Sequence, residues 1–205
     1  MIAKSFLELI TEPTVEPVSL VELKNHLRLP LEEIEDETIE DNLLTNQIKA
    51  AREEVEDITR RGIITQTWDY FLDDWPSEDY IVLPLGNLQS VTYVNWKGTD
   101  DTLTTLTEDT DYVVETNGEQ CGRVVLPYNV SWPTGTLHPS KPVIIRFICG
   151  WTSADSVPAK IRAAIKMIAG DLYEHRERQT LSSMSFAENE TVMRLLSSAR
   201  LWEEV

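Results

Sequence analysis

Between Asp41 and Trp75 the chain changes its period, and the change fixes how the rest must pack. Leu44, Ile48, Ala51, Val55 and Ile58 recur in steps of four, three, four and three, which lines one face of a helix. Arg60 and Arg61 fall in its last turn, where cations suit the negative end of the helix dipole, and Gly62 is the expected left-handed stop. Thr65, Thr67, Trp68, Tyr70, Phe71 and Leu72 then supply the β-branched and aromatic residues that strands prefer. A helix joined this closely to a strand, with no catalytic motif at the junction, reads as a scaffold.

The flanking segments extend the pattern. Ser19 and Glu22 form a capping box, with Val18 and Leu23 in the positions of a hydrophobic staple, so a first helix is expected over 19–29, ended by Pro30. The junction helix is expected over 38–61. The acidic run 32–41 reads as a solvated loop with Asp36 or a neighbour capping that helix; it lacks the Asp-x-Asp-x-Asp-Gly spacing of a calcium loop. Strands are expected at 65–72, 80–83, 90–96, 111–115, 123–126 and 143–149, with turns marked by proline, glycine and Asn117-Gly118. Val143–Cys149 is apolar on nearly both faces, as a central strand would be. Pro158 opens a third helix, expected over 157–177 through Ile161, Ile165, Ile168 and Leu172.

The fold expected is α+β: a bundle of N- and C-terminal helices with an antiparallel β-region, 65–151, inserted between them. Residues 1–178 form one domain on this reading, and 179–205 form an extended C-terminal linker and tail. Within the tail Val192, Leu195, Leu196, Ala199 and Trp202 make a short amphipathic segment. It is too short to hold a helix alone in water, so it needs its own body or a partner to dock on.

Charge narrows the function. The 205 residues carry 35 acidic and 18 basic side chains, net −17. Residues 1–64 hold 15 acids and 7 bases, 65–156 hold 13 and 4, and 157–205 hold 7 of each. Such a surface does not grip nucleic acid by neutralising phosphates, although it could stand beside DNA without sticking to it. The N-terminus lacks the pattern of a secretory signal, and no run of 18 apolar residues is present to span a membrane. Cys121 and Cys149 suit two buried thiols better than a metal knuckle.

Catalytic chemistry finds little footing. His26, His138 and His175 form no zinc motif, and GxSxG, GxxxxGK[ST] and GxGxxG are all missing. The pairs Asp73-Asp74 and Asp100-Asp101 and the cluster Glu108-Asp109-x-Asp111 sit beside turn signals, as composition alone would place them. Of the six tryptophans, Trp68 and Trp75 have the flanks Thr67-Trp68-Asp69 and Asp74-Trp75-Pro76, the wrong sign for base-stacking platforms, and core and subunit-interface anchors explain the set better. No enzyme activity, cofactor or metal is expected. A carboxylate-based, metal-dependent hydrolase is the alternative, and a DNA-mimicking inhibitor is a third reading.

The segments EPVSLVELKNHLRL (16–29), ITRRGIITQTWDYFLDDWP (58–76), IVLPLGNLQSVTYVNWKG (81–98), SWPTGTLHPSKPVIIRFICGW (131–151) and VPAKIRAAIKMIAGDLYEHRE (157–177) follow one another in an order that resembles the head-to-tail connector proteins of tailed bacteriophages, also called adaptor or head-completion proteins. The resemblance covers about 16–177. It implies a structural virion protein of the neck, made in the host cytoplasm. Copies would form a ring, typically of twelve, between the portal and the stopper or tail-completion protein. DNA would pass through without sequence-specific binding. It also implies that the C-terminal segment clasps the portal, with Val192, Leu195, Leu196 and Trp202 as docking residues. Relatives often carry a Pro-aromatic pair in that tail; Ser198 and Ala199 stand there instead. On this reading, residues 179–205 could be removed without cost to the fold.

Overall fold

The computed structural model describes residues 5–29, 37–175 and 190–201. These hold four α-helices and two antiparallel sheets, the α+β mixture expected. The chain divides into two compact units. A β-unit takes the chain up to Pro13 together with Thr65–Gly150, and a helical unit takes Thr14–Ile64 with the chain from Trp151 onward. Residues 190–201, read from sequence as part of a separate tail, cluster with the helical unit.

In the helical unit α1 (Leu20–Leu27) starts as its capping box dictates. The Glu22 N–H donates to Ser19 Oγ at 3.2 Å, and the Ser19 N–H donates to Glu22 Oε2 at 2.9 Å. The helix stops before Pro30, because Arg28 turns left-handed (φ 58°) and donates its N–H back to the last turn. The junction helix is α2 (Glu37–Thr59), and its left-handed residue is Arg60 (φ 56°), so Gly62 is not the stop that spacing predicts. Tertiary partners finish this helix end. The Ile63 N–H donates to Glu56 Oε1 at 2.8 Å, the Leu201 N–H donates to the Thr59 carbonyl at 2.9 Å, and buried Arg61 donates to the Ala199 carbonyl. Arg61 is therefore a structural donor and not simply a dipole-matching cation.

The remaining helices are α3 (Ala159–Glu174), shorter at both ends than expected, and α4 (Glu190–Ser197). Leu23, Leu44, Ile48, Ala51, Val55, Ile161, Ile165, Val192 and Leu196 meet in one buried core, to which all four helices contribute. Arg52, only 3% exposed, is held at its edge by Glu16 (2.8 Å) and Glu56 (2.6 Å).

Among the described residues the β-unit has eight strands: β1 (Ser5–Thr11), β2 (Gln66–Leu72), β3 (Tyr80–Val82), β4 (Leu88–Lys97), β5 (Leu103–Leu106), β6 (Val113–Glu115), β7 (Arg123–Val125) and β8 (Val143–Cys149). Strands β1 and β5 were not expected. The larger sheet runs β1-β2-β8-β4-β5, which makes β8 central, as its composition implied. The smaller sheet runs β3-β7-β6, and Asn117 and Gly118, both left-handed, turn the chain between β6 and β7. Both sheets contribute to one core that includes Ile81, Val124, Val91, Val94, Ile145 and Phe147. Gly122 permits their close approach: a Cβ built there would lie 2.2 Å from the Leu88 side chain.

Candidate docking surfaces

Three of the four tail residues expected to dock on a partner are described, and they lie on the chain's own helical unit. Val192 and Leu196 are buried in its core, and Leu195 packs half-buried against it. Ala199 and Leu201 are buried as well, and Lys160 Nζ donates to Ser198 Oγ at 2.7 Å. Trp202 and the linker through residue 189 lie outside the described residues. The burial of Val192 and Leu196 in the core lined by α2 and α3 argues against the expectation that 179–205 can be removed at no cost to the fold.

The residues weighed for chemistry serve turns and cores. Asp74 accepts the Trp75 N–H, Asp100 accepts the Thr102 N–H and Asp111 accepts the Thr107 N–H, each within its own turn. Asp101 pairs with Lys97 at 3.2 Å. His26 is exposed on α1, His138 Nδ1 accepts the Ser140 N–H, and His175 follows the end of α3. Among the described residues no group of three or more His, Cys, Asp or Glu is placed to hold a metal ion, and the hydrolase alternative gains no support. The two cysteines form no disulfide; Cys149 is buried as expected, whereas Cys121 is only half-buried. Trp68, Trp75, Trp96 and Trp132 pack on the β-core and Trp151 on the helical core. Trp75 and Trp132 stack at 4.9 Å.

The surface that sequence reasoning missed is the pair of ends of the five-stranded sheet. Among the described residues strand β1 hydrogen-bonds only to β2, and Phe6, Leu9 and Ile10 are 41%, 39% and 40% exposed. Phe6 stacks on Phe71 of β2 at 4.7 Å. Lys141, left-handed at φ 48°, sets its ammonium 4.0 Å from the Phe71 centroid and 4.9 Å from that of Phe6. The same ammonium lies 3.1 Å from Glu8 Oε2 and so neutralises the one charge on β1. One row further in, Arg146 forks onto Asp69 with two bonds of 2.7 Å and lies over Tyr93. The Asp69 hydrogen bond holds the Arg146 guanidinium above its ordinary pKa, while burial and the nearby Asp69 charge push the Tyr93 phenol up. At the far end β5 reads Leu-Thr-Thr-Leu, uncharged and largely exposed, with Leu103 at 48%. The only sequence signal for either end is a short apolar stretch bounded by acidic or turn residues.

No protein-family model matches the chain, and no curated protein matches it. Solved structures do. A chain in the neck of an empty gene transfer agent particle, computed with C6 symmetry, superposes with a TM-score of 0.79 at 21% identity, covering 98% of this chain and 97% of the other. A chain of the native gene transfer agent virion gives 0.75 at 21%, and one in the native neck computed with C12 symmetry gives 0.75 at 19%, both with the same coverage. The likeness takes in both units and fits the connector resemblance read from the sequence. The fold of this chain is that of a chain built into the neck of a gene transfer agent particle.

Proposed function

We propose that this chain is a structural head-to-tail adaptor of a tailed, phage-like particle. Copies stand as a ring between portal and stopper or tail-completion protein and extend the DNA channel, and the chain works without catalysis or cofactor. The observation that carries the reading is the near-complete match to chains of symmetric necks, in which units of opposite texture recur together over 98% of the length. Twelve copies is the number favoured by the C12 neck. The net charge of −17 supports a conduit role, since an acidic wall denies passing DNA the phosphate contacts that would hold it.

In this proposal Val192, Leu195, Leu196 and Trp202 are the portal-docking residues. Because Val192 and Leu196 are already buried at home, docking is an exchange: α4 leaves the helical core as the portal accepts it. The domain reading is carried with it, residues 1–178 as the connector body and 179–205 as linker and docking segment. Light scattering after size exclusion, with and without purified portal, tests the proposal. A ring of the protein, or a stable complex with portal, is expected. A chain that stays monomeric in both conditions contradicts it.

A further inference from the structure

We infer that neighbouring copies join by pairing the β1 edge of one with the β5 edge of the next, so that the five-stranded sheets run on from copy to copy. The inference rests on the ring reading above and names its contact.

A strand at the end of a sheet presents a row of unpaired N–H and C=O groups, and proteins ordinarily blunt it with charge, proline, a short length or a cover. Here β1 spans seven residues with exposed Phe6, Leu9 and Ile10, its register on β2 is regular from Ser5 to Leu9 and shifts between Leu9 and Thr11, and its single charge is neutralised by Lys141. Strand β5 bears no charge at all. Among the described residues neither strand has a second hydrogen-bonded neighbour. The edges of the smaller sheet are only three residues long.

The symmetry of the similar neck chains points to a second copy as the occupant, and charge limits where that copy can sit. The β-unit segments hold 14 acidic and 5 basic residues, so two copies repel over most of that surface. They can approach where the strand itself carries no charge or a cancelled one, as β5 and β1 do; the acidic Asp100, Asp101, Glu108 and Asp109 flank β5 in sequence. A two-fold pairing of β1 with β1 would stop at a dimer, whereas joining unlike ends is heterologous and can close into a ring. Every neighbouring pair in the sheet is antiparallel, so β5 runs in the same direction as β1 four steps away. Successive copies therefore meet with β1 and β5 parallel.

The test places one cysteine at each end, Ile10→Cys and Thr105→Cys, both at exposed positions and in a Cys121→Ser background. A mixture of the two single variants with a short bismaleimide is expected to give a covalent dimer on a denaturing gel. Neither variant alone should do so, and the doubly substituted chain should give a ladder. As a second readout, Thr105→Glu in the otherwise native chain should shift light scattering toward monomer while thermal unfolding stays unchanged. A dimer from Ile10→Cys alone, or no mixed dimer, overturns the pairing. Rings that form without the mixed dimer overturn it and leave the neck reading standing; a chain that forms no ring and binds no portal defeats both.

Discussion

The two units handle their last elements in opposite ways. In the helical unit the final helix closes the structure: α4 brings Val192 and Leu196 into a core already lined by α2 and α3, and the backbone after it satisfies the end of α2. In the β-unit the terminal strands leave the structure open, because among the described residues β1 and β5 each pair on one side only and expose most of their side chains. The difference follows from where each element keeps its hydrogen bonds. A helix pairs its backbone internally except at its ends and offers neighbours mainly side chains, whereas an open sheet ends in two rows of unsatisfied groups. The helical unit is thus closed by its own chain, and the β-unit keeps two ends suited to a neighbour.

Substitutions can break or sharpen that contrast. The largest effect is expected from Leu196→Ala, which opens a cavity in the helical core and should cost about 2–5 kcal/mol in denaturant unfolding. A loss no greater than that of an exposed leucine would show that α4 is not docked. Gly122→Ala should cost about 1–3 kcal/mol by driving a methyl into Leu88, with early loss of hydrogen-exchange protection confined to the β-unit. Ser19→Ala removes half of the capping box and should cost about 1 kcal/mol.

The same cap carries a pH dependence. Burial alone would raise the Glu22 pKa, but its hydrogen bonds from Ser19 and the nearby charges of Arg162 and Lys166 together hold it below its ordinary value. A carboxylate lowered in the folded state binds its proton less readily there than in the unfolded chain. Its stabilisation is present above the ordinary glutamate value of about 4.3 and is lost as the pH falls through the folded one. Acid unfolding of Glu22→Gln should be correspondingly flatter over that window. The smallest effect belongs to Ile10→Ala, which should change monomer stability by less than about 0.5 kcal/mol, since the side chain packs little within its own chain. A larger loss would mean that β1 already has a cover.

Sequence period carried the interior well. The α2 stripe, the central β8, the Ser19 cap and the Asn117-Gly118 turn each follow from local residue chemistry, and each is present. What local reasoning missed depends on distant partners. Strand β1 shows no alternation because it is exposed on both faces, and Glu8 breaks its apolar run. Strand β5 is four residues with only Leu106 packed on the core. Gly62 looked like the helix stop, but Arg60 could take the left-handed position because Glu56 Oε1 and the Leu201 N–H finish the helix end. The amphipathic face of α4 was legible, and the surface that receives it was not, since periodicity shows a buried face without naming its cover. The cation-π cluster at the sheet end brings Phe6, Phe71 and Lys141 together from three separate segments.

The central claim is that this chain is a ring-forming part of a particle neck, and electron cryo-microscopy of the portal vertex in the assembled particle tests it most directly. The account predicts a symmetric ring beneath the portal into which both units fit, with each β-unit joined to the next. Particles that carry no copies of the chain, or copies lying away from the neck, would contradict it.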